Sequence, residues 1–146
     1  MLPVLGAVWL QTGIIDSGAI LLCVPVSCWV VAILIINEVP DAAADRAARK
    51  RTLVVRFGDP GARRIYFALT LTALAASGAA IALRALPAWY AIPAVAFAVL
   101  GMIALLGISS YRSARARLKR SIELTLAVQG VGCITLVVAL LSRRFI

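Results

Sequence analysis

Histidine is absent from this 146-residue chain, and only six residues are acidic. Its three cysteines, Cys23, Cys28 and Cys133, form no C-x-x-C pair. Zinc and haem sites draw on His and paired Cys, so these gaps argue against both. In apolar surroundings the cysteines read as small buried hydrophobes. Charge is scarce as well, at 14% of residues against about a quarter in soluble domains. What replaces it is apolar: 63% of the chain is hydrophobic and the mean hydropathy is +1.02. A soluble fold of this length could not bury so much apolar surface, and the composition indicates an integral membrane protein. With no metal spacing and no basic helix outside the loops, a nucleic-acid-binding module is not expected. Met1 leads straight into apolar sequence, with no basic n-region and no small-residue cleavage site, so no signal peptide is expected.

Four apolar runs, at about 19–36, 65–83, 91–108 and 122–141, approach the roughly 20 residues that cross a bilayer. A fifth, 2–15, is shorter and resembles a spanning helix with its first turns missing. The bases are distributed unevenly between the runs. Arg46, Arg49, Lys50, Arg51, Arg56, Arg63 and Arg64 follow the 19–36 run. Arg112, Arg115, Arg117, Lys119 and Arg120 precede the last one. Those twelve fall on one side of the membrane, against Arg84, Arg143 and Arg144 on the other. The asymmetry places the basic segments in the cytoplasm and the C-terminus outside. The run "ALTLTALAASGAAIAL" is dense in small residues that permit close helix approach.

The charge concentrates in "INEVPDAAADRAARKRTLVVRFG", residues 36–58. Asn37, Asp41 and Asp45 recur every four residues, which puts them on one helix face. Two carboxylates there would repel unless something positive lay between them. Mg²⁺ uses such oxygen ligands, bridging one or two carboxylates to substrate phosphates. Lys50, Arg51 and Arg56 follow and supply groups that hold phosphate oxygens. Simpler readings stay open at this point. Asp41 and Asp45 could pair with Arg46, Arg49 or Lys50 on a solvated helix end, and the bases could serve topology or attract anionic lipid.

The stretch "NEVPDAAADRAARKRTLVVRFG" resembles the second aspartate-rich motif of the UbiA family of membrane prenyltransferases, N-E-x-x-D-x-x-x-D-x-x-x-G-K-R-T-L-V-V-R-L-G. Upstream, "LPVLGAVWLQTG" resembles that family's fifth helix, and the three runs downstream resemble its seventh to ninth. The resemblance implies an all-α integral membrane helical bundle of about five transmembrane helices, the C-terminal part of a nine-helix fold. The whole chain, 1–146, would form that partial domain, with a cytoplasmic motif loop at 37–64. By this resemblance Asp41 and Asp45 would be Mg²⁺ ligands, and Lys50, Arg51, Arg56 and Asn37 diphosphate contacts. The donor would be a polyprenyl diphosphate and the acceptor an aromatic quinone precursor such as 1,4-dihydroxy-2-naphthoate. The setting would be a bacterial cell membrane.

Two departures from the family pattern carry expectations of their own. The usual glycine before Lys-Arg is Arg49 here, which would alter the turn or add a phosphate contact. No other D-x3-D occurs in the chain, so the first aspartate-rich motif is missing from it. An N-terminal half chain would supply that motif, and standalone activity is not expected. The alternative is a non-catalytic half-bundle that assembles with other helices or binds anionic lipid. Among lesser features, Gln11, Gln129 and Glu123 are polar groups within or beside apolar runs, lining a cavity or bonding to a neighbour. Trp9, Trp29 and Trp89 read as packing or interface anchors.

Overall fold

The computed structural model describes residues 1–109 and 115–142, and every regular element among them is helical. Helix α1, Leu2–Thr12, buries none of its residues and touches only α2 to any extent. Helix α2, Ser17–Ala47, begins on Asp16, whose carboxylate accepts the Ala19 N–H at 2.7 Å. Capping of this kind satisfies one of the donors orphaned at a helix start. Helix α3 covers Leu53–Ala82, and a single 3-10 turn, Ala88–Tyr90, leads into α4, Ala91–Ser109. Helix α5, Arg115–Ser142, closes the described chain.

Four of these helices are long and apolar enough to cross a membrane, while α1, with 11 residues, is shorter. The 31 residues of α2 extend about 46 Å at 1.5 Å per residue, well beyond a hydrocarbon core of about 30 Å. Its last turns therefore project past the apolar layer. Pro40 has no N–H to give the carbonyl one turn back, yet the helix runs through it, as it does through Pro25.

Helices α2 to α5 close into a ring, each packed on its two neighbours. Three core layers stack along it. Ile35, Ile36, Val39, Val54, Tyr66, Ile108 and Leu118 fill the end that carries the charged motif. Cys28, Trp29, Phe97 and Val128 fill the middle, with Trp29 edge-on to Phe97 at 5.8 Å. Leu86, Tyr90, Leu136 and Ala139 fill the far end. The small residues of α3 do as their pattern predicts: Ala73, Ala76, Ser77 and Ala80 are buried. The α4–α5 crossing is tighter still, because a Cβ on Gly107 would run into the Ser121 side chain.

The layers put the end of α2, the start of α3, the end of α4 and the start of α5 together. Among described residues Arg84 is the far-end base, and Arg112, Arg143 and Arg144 lie outside the described residues. All three cysteines are free, with Cys23 and Cys28 buried, in keeping with their reading as small hydrophobes. Trp29 is a packing residue, whereas Trp89 and Trp9 are exposed. Neither Gln11 nor Gln129 lines the cavity between the four helices, and Glu123 lies 4.0 Å from Lys119 in an exposed pair.

The segment 37–64 is not one loop. Residues up to Ala47 continue α2, α3 starts at Leu53, and the connector is only 48–52. Within α3 the path breaks at Gly58, at φ 66° and ψ 179°, so 53–57 forms a separate turn before the long membrane segment that Pro60 opens.

Candidate functional site

The site is built on the projecting end of α2. Asn37 and Asp41 are exposed there, one turn apart, as their spacing predicts. Asp45 drifts toward the bundle and is buried, at 9% exposure. Below them the same face of α2 carries Leu34 and Val30, exposed to 55% and 41%. Positions 30, 34, 37 and 41 thus form one uncovered stripe, apolar at its base and polar at its tip. The cavity enclosed by α2, α3, α4 and α5 measures only about 20 Å³. That is room for about one water. A hydrocarbon chain does not fit in this cavity; the outer stripe is an apolar surface that adjoins Asn37 and Asp41.

The turn after α2 sets the position of Lys50. Its backbone N–H donates to the Asp45 carbonyl at 2.9 Å, and the Arg49 N–H to the Arg46 carbonyl at 3.1 Å. This pair of bonds is the Schellman closure, which calls for a left-handed residue at the position Arg49 occupies. Arg49 indeed has φ 58°, so arginine stands in the conformation that the family's usual glycine adopts freely. Arg49→Gly should stabilise the protein by about 1 kcal/mol through relief of that conformation. Chemical denaturation in detergent micelles checks it, and an unchanged midpoint would mean that the turn carries no strain.

Folded back by this turn, the Lys50 ammonium donates to Asp45 Oδ1 at 2.9 Å. Of the pairings open to Asp45, the structure selects Lys50. The Asp45 hydrogen bond and charge, with a further contribution from Asp41, raise the Lys50 pKa above its usual 10.5. A raised ammonium pKa contributes stability that is complete below 10.5 and lost only as pH climbs through the higher folded value. Lys50 therefore stays charged throughout the neutral range. Its side chain is 65% exposed, so water screens the pair heavily.

Glu38, adjacent to Asn37, has a role that the sequence did not disclose. Its Oε2 accepts the Val54 N–H at 3.2 Å, tying the start of α3 to α2. The Thr52 hydroxyl accepts the next N–H, from Val55, at 3.4 Å. The partner of Glu38 is 16 residues away, beyond the reach of a local capping pattern. Glu38→Ala should destabilise the fold by about 1 kcal/mol, as loss of a cap does. Glu38→Gln, which keeps an acceptor oxygen, should recover most of it; equal losses for both would show that the carboxylate acts otherwise.

Arg51 is exposed on the connector. Arg56, in the first turn of α3, lies over the Phe57 ring at 5.6 Å. The structure thus brings Asp45 and Lys50 into contact, with Asp41 near enough to act on Lys50. Neither Arg51 nor Arg56 forms an ion pair with the carboxylates among the described residues. Among the described residues no group of three or more His, Cys, Asp or Glu side chains gathers to hold a metal unaided. Asp41 and Asp45 do fit Mg²⁺, which asks a protein for one or two carboxylates and completes its shell with water and phosphate oxygens.

The model of the UbiA prenyltransferase family matches residues 1–140. No curated protein and no solved structure matches the chain significantly. The match covers α1 to α4, the motif and nearly all of α5, and the chain belongs to the UbiA prenyltransferase family.

Proposed function

We propose that residues 1–146 form the C-terminal part of a prenyltransferase, one side of a site that binds a polyprenyl diphosphate with Mg²⁺. The acceptor would be an aromatic quinone precursor, 1,4-dihydroxy-2-naphthoate being the favoured candidate. One observation carries this reading: the uncovered stripe of α2 has Asn37 and Asp41 at its tip, Asp45 and Lys50 behind them, and Leu34 and Val30 beneath. A diphosphate with a hydrocarbon tail has that same division into charged head and apolar chain.

In this scheme Asp41 and Asp45 hold the metal, and Lys50, Arg51, Arg56 and Asn37 contact the diphosphate. When bound, Mg²⁺ neutralises charge developing on the leaving group. Lys50 and the arginines add fixed positive charge at the same oxygens. The donor C–O bond breaks with its electron pair going to the diphosphate. The resulting allylic cation is attacked by an electron-rich ring carbon, which then loses its proton. Leu34 and Val30 shield the tail from water that would quench the cation.

Residues 1–146 contain one aspartate-rich motif, so the facing carboxylates would come from a segment or chain outside them. The crowding of bases at the motif end supports a cytoplasmic site, and the membrane would be a bacterial cell membrane. The test combines this chain with a segment bearing the other motif in proteoliposomes. Prenylated naphthoate should form only with both parts and Mg²⁺ present. Absence of product with every aromatic acceptor tried, despite a stable assembly, would favour the non-catalytic half-bundle.

A further inference from the structure

A second basic site lies on the other flank of α3. Pro60, Arg63, Arg64 and Phe67 of α3, with Leu105 of α4, line an open groove of about 440 Å³. Asp41, Asp45 and Lys50 belong to α2 and its connector and take no part in it. Arg63 and Arg64 are exposed and form no ion pair among the described residues. Phe67, one turn further along α3, is 40% exposed, and Leu105 is half-buried beside it. The groove therefore offers two guanidinium groups at its basic end, neither in an ion pair among the described residues although Asp59 lies one turn before Arg63, and apolar walls deeper in.

We propose that this groove binds an anionic phospholipid. The headgroup phosphate is held by Arg63 and Arg64, and an acyl chain lies against Phe67 and Leu105. The charge complementarity decides the occupant. A transmembrane helix seated there would bring an apolar face against two unpaired arginines, and a zwitterionic lipid would leave the net positive charge uncompensated. Basic pockets between membrane helices bind acidic headgroups for this reason, and a guanidinium presents paired N–H groups to phosphate oxygens. The lipid at the cytoplasmic leaflet would pin the kinked start of α3 at its interfacial depth. The inference does not rest on the diphosphate site and survives its loss.

Native mass spectrometry of the full chain in detergent tests it, by titration with phosphatidylglycerol and with phosphatidylcholine of the same chain length. Phosphatidylglycerol should bind at least tenfold more tightly. Arg63→Gln with Arg64→Gln should remove that preference, while Arg117→Gln with Arg120→Gln, exposed bases of α5, should leave it within about twofold. Equal binding of the two lipids by the unaltered chain overturns the proposal. So does a preference that outlasts the Arg63 and Arg64 changes, or one that falls equally with the α5 pair, since general basicity would then explain it.

Discussion

Replacing Asp45 with alanine is expected to lower Mg²⁺-dependent prenyl transfer by the assembled enzyme at least a hundredfold. The loss has two parts. On the proposed assignment a metal-holding carboxylate disappears, and removing an electrostatic stabiliser of a transition state typically costs a factor of 10² to 10³. The Lys50 ammonium also loses the oxygen that holds it at 2.9 Å and moves into solvent. Stability should change little, because Lys50 is well exposed and can solvate on its own. A large fall in turnover with a near-constant melting temperature is the signature of a functional carboxylate. Lys50→Ala separates the two parts: it should weaken activity less than Asp45→Ala, since the carboxylate remains. Turnover within threefold of the unaltered enzyme after Asp45→Ala would remove Asp45 from the site.

Substitution of Gly58 is expected to destabilise the motif end through the backbone alone. Its φ of 66° with ψ of 179° lies in a region essentially restricted to glycine. Gly58→Ala should cost about 1 to 3 kcal/mol. Crowding is not the reason, because the nearest atom to an added Cβ is Pro60 Cδ at an ordinary 3.7 Å. The penalty belongs to the backbone, so alanine and serine should suffer alike. Relaxing the kink would also shift the 53–57 turn, which presents Arg56 and takes the Glu38 cap at Val54. Denaturant midpoints in detergent check the stability. A Gly58→Ala protein as stable as the original would show that the chain passes the bend by another conformation.

Much of this architecture is legible in the sequence because the bilayer imposes a simple rule on it. Unbroken apolar runs of nearly 20 residues have few fates other than spanning helices, and 19–36, 91–108 and 122–141 lie within such helices, as does 65–83 but for its last residue, the C-cap Leu83. The four-residue spacing of Asn37, Asp41 and Asp45 likewise foretells a shared face, although Asp45 has rotated far enough to be buried. What the sequence conceals is non-local or conformational. The motif loop expected at 37–64 is in large part helix, because α2 continues through Pro40 to Ala47. The Lys50 pairing depends on the reversal at Arg49, and a side chain in left-handed conformation leaves no sequence signal. The Glu38–Val54 bond joins two helices across a connector whose path no local pattern specifies. The volume of the central cavity, about 20 Å³, is likewise set by packing that no local pattern specifies.

On the proposed reading the Asp41–Asp45 face holds a diphosphate through a divalent ion. Isothermal titration of the assembled protein with a non-hydrolysable prenyl diphosphate analogue, with and without Mg²⁺, measures it most directly. Binding should require Mg²⁺ and should fall at least a hundredfold in the Asp41→Ala, Asp45→Ala protein. Binding of equal strength without Mg²⁺, or unaffected by loss of both carboxylates, would contradict the account.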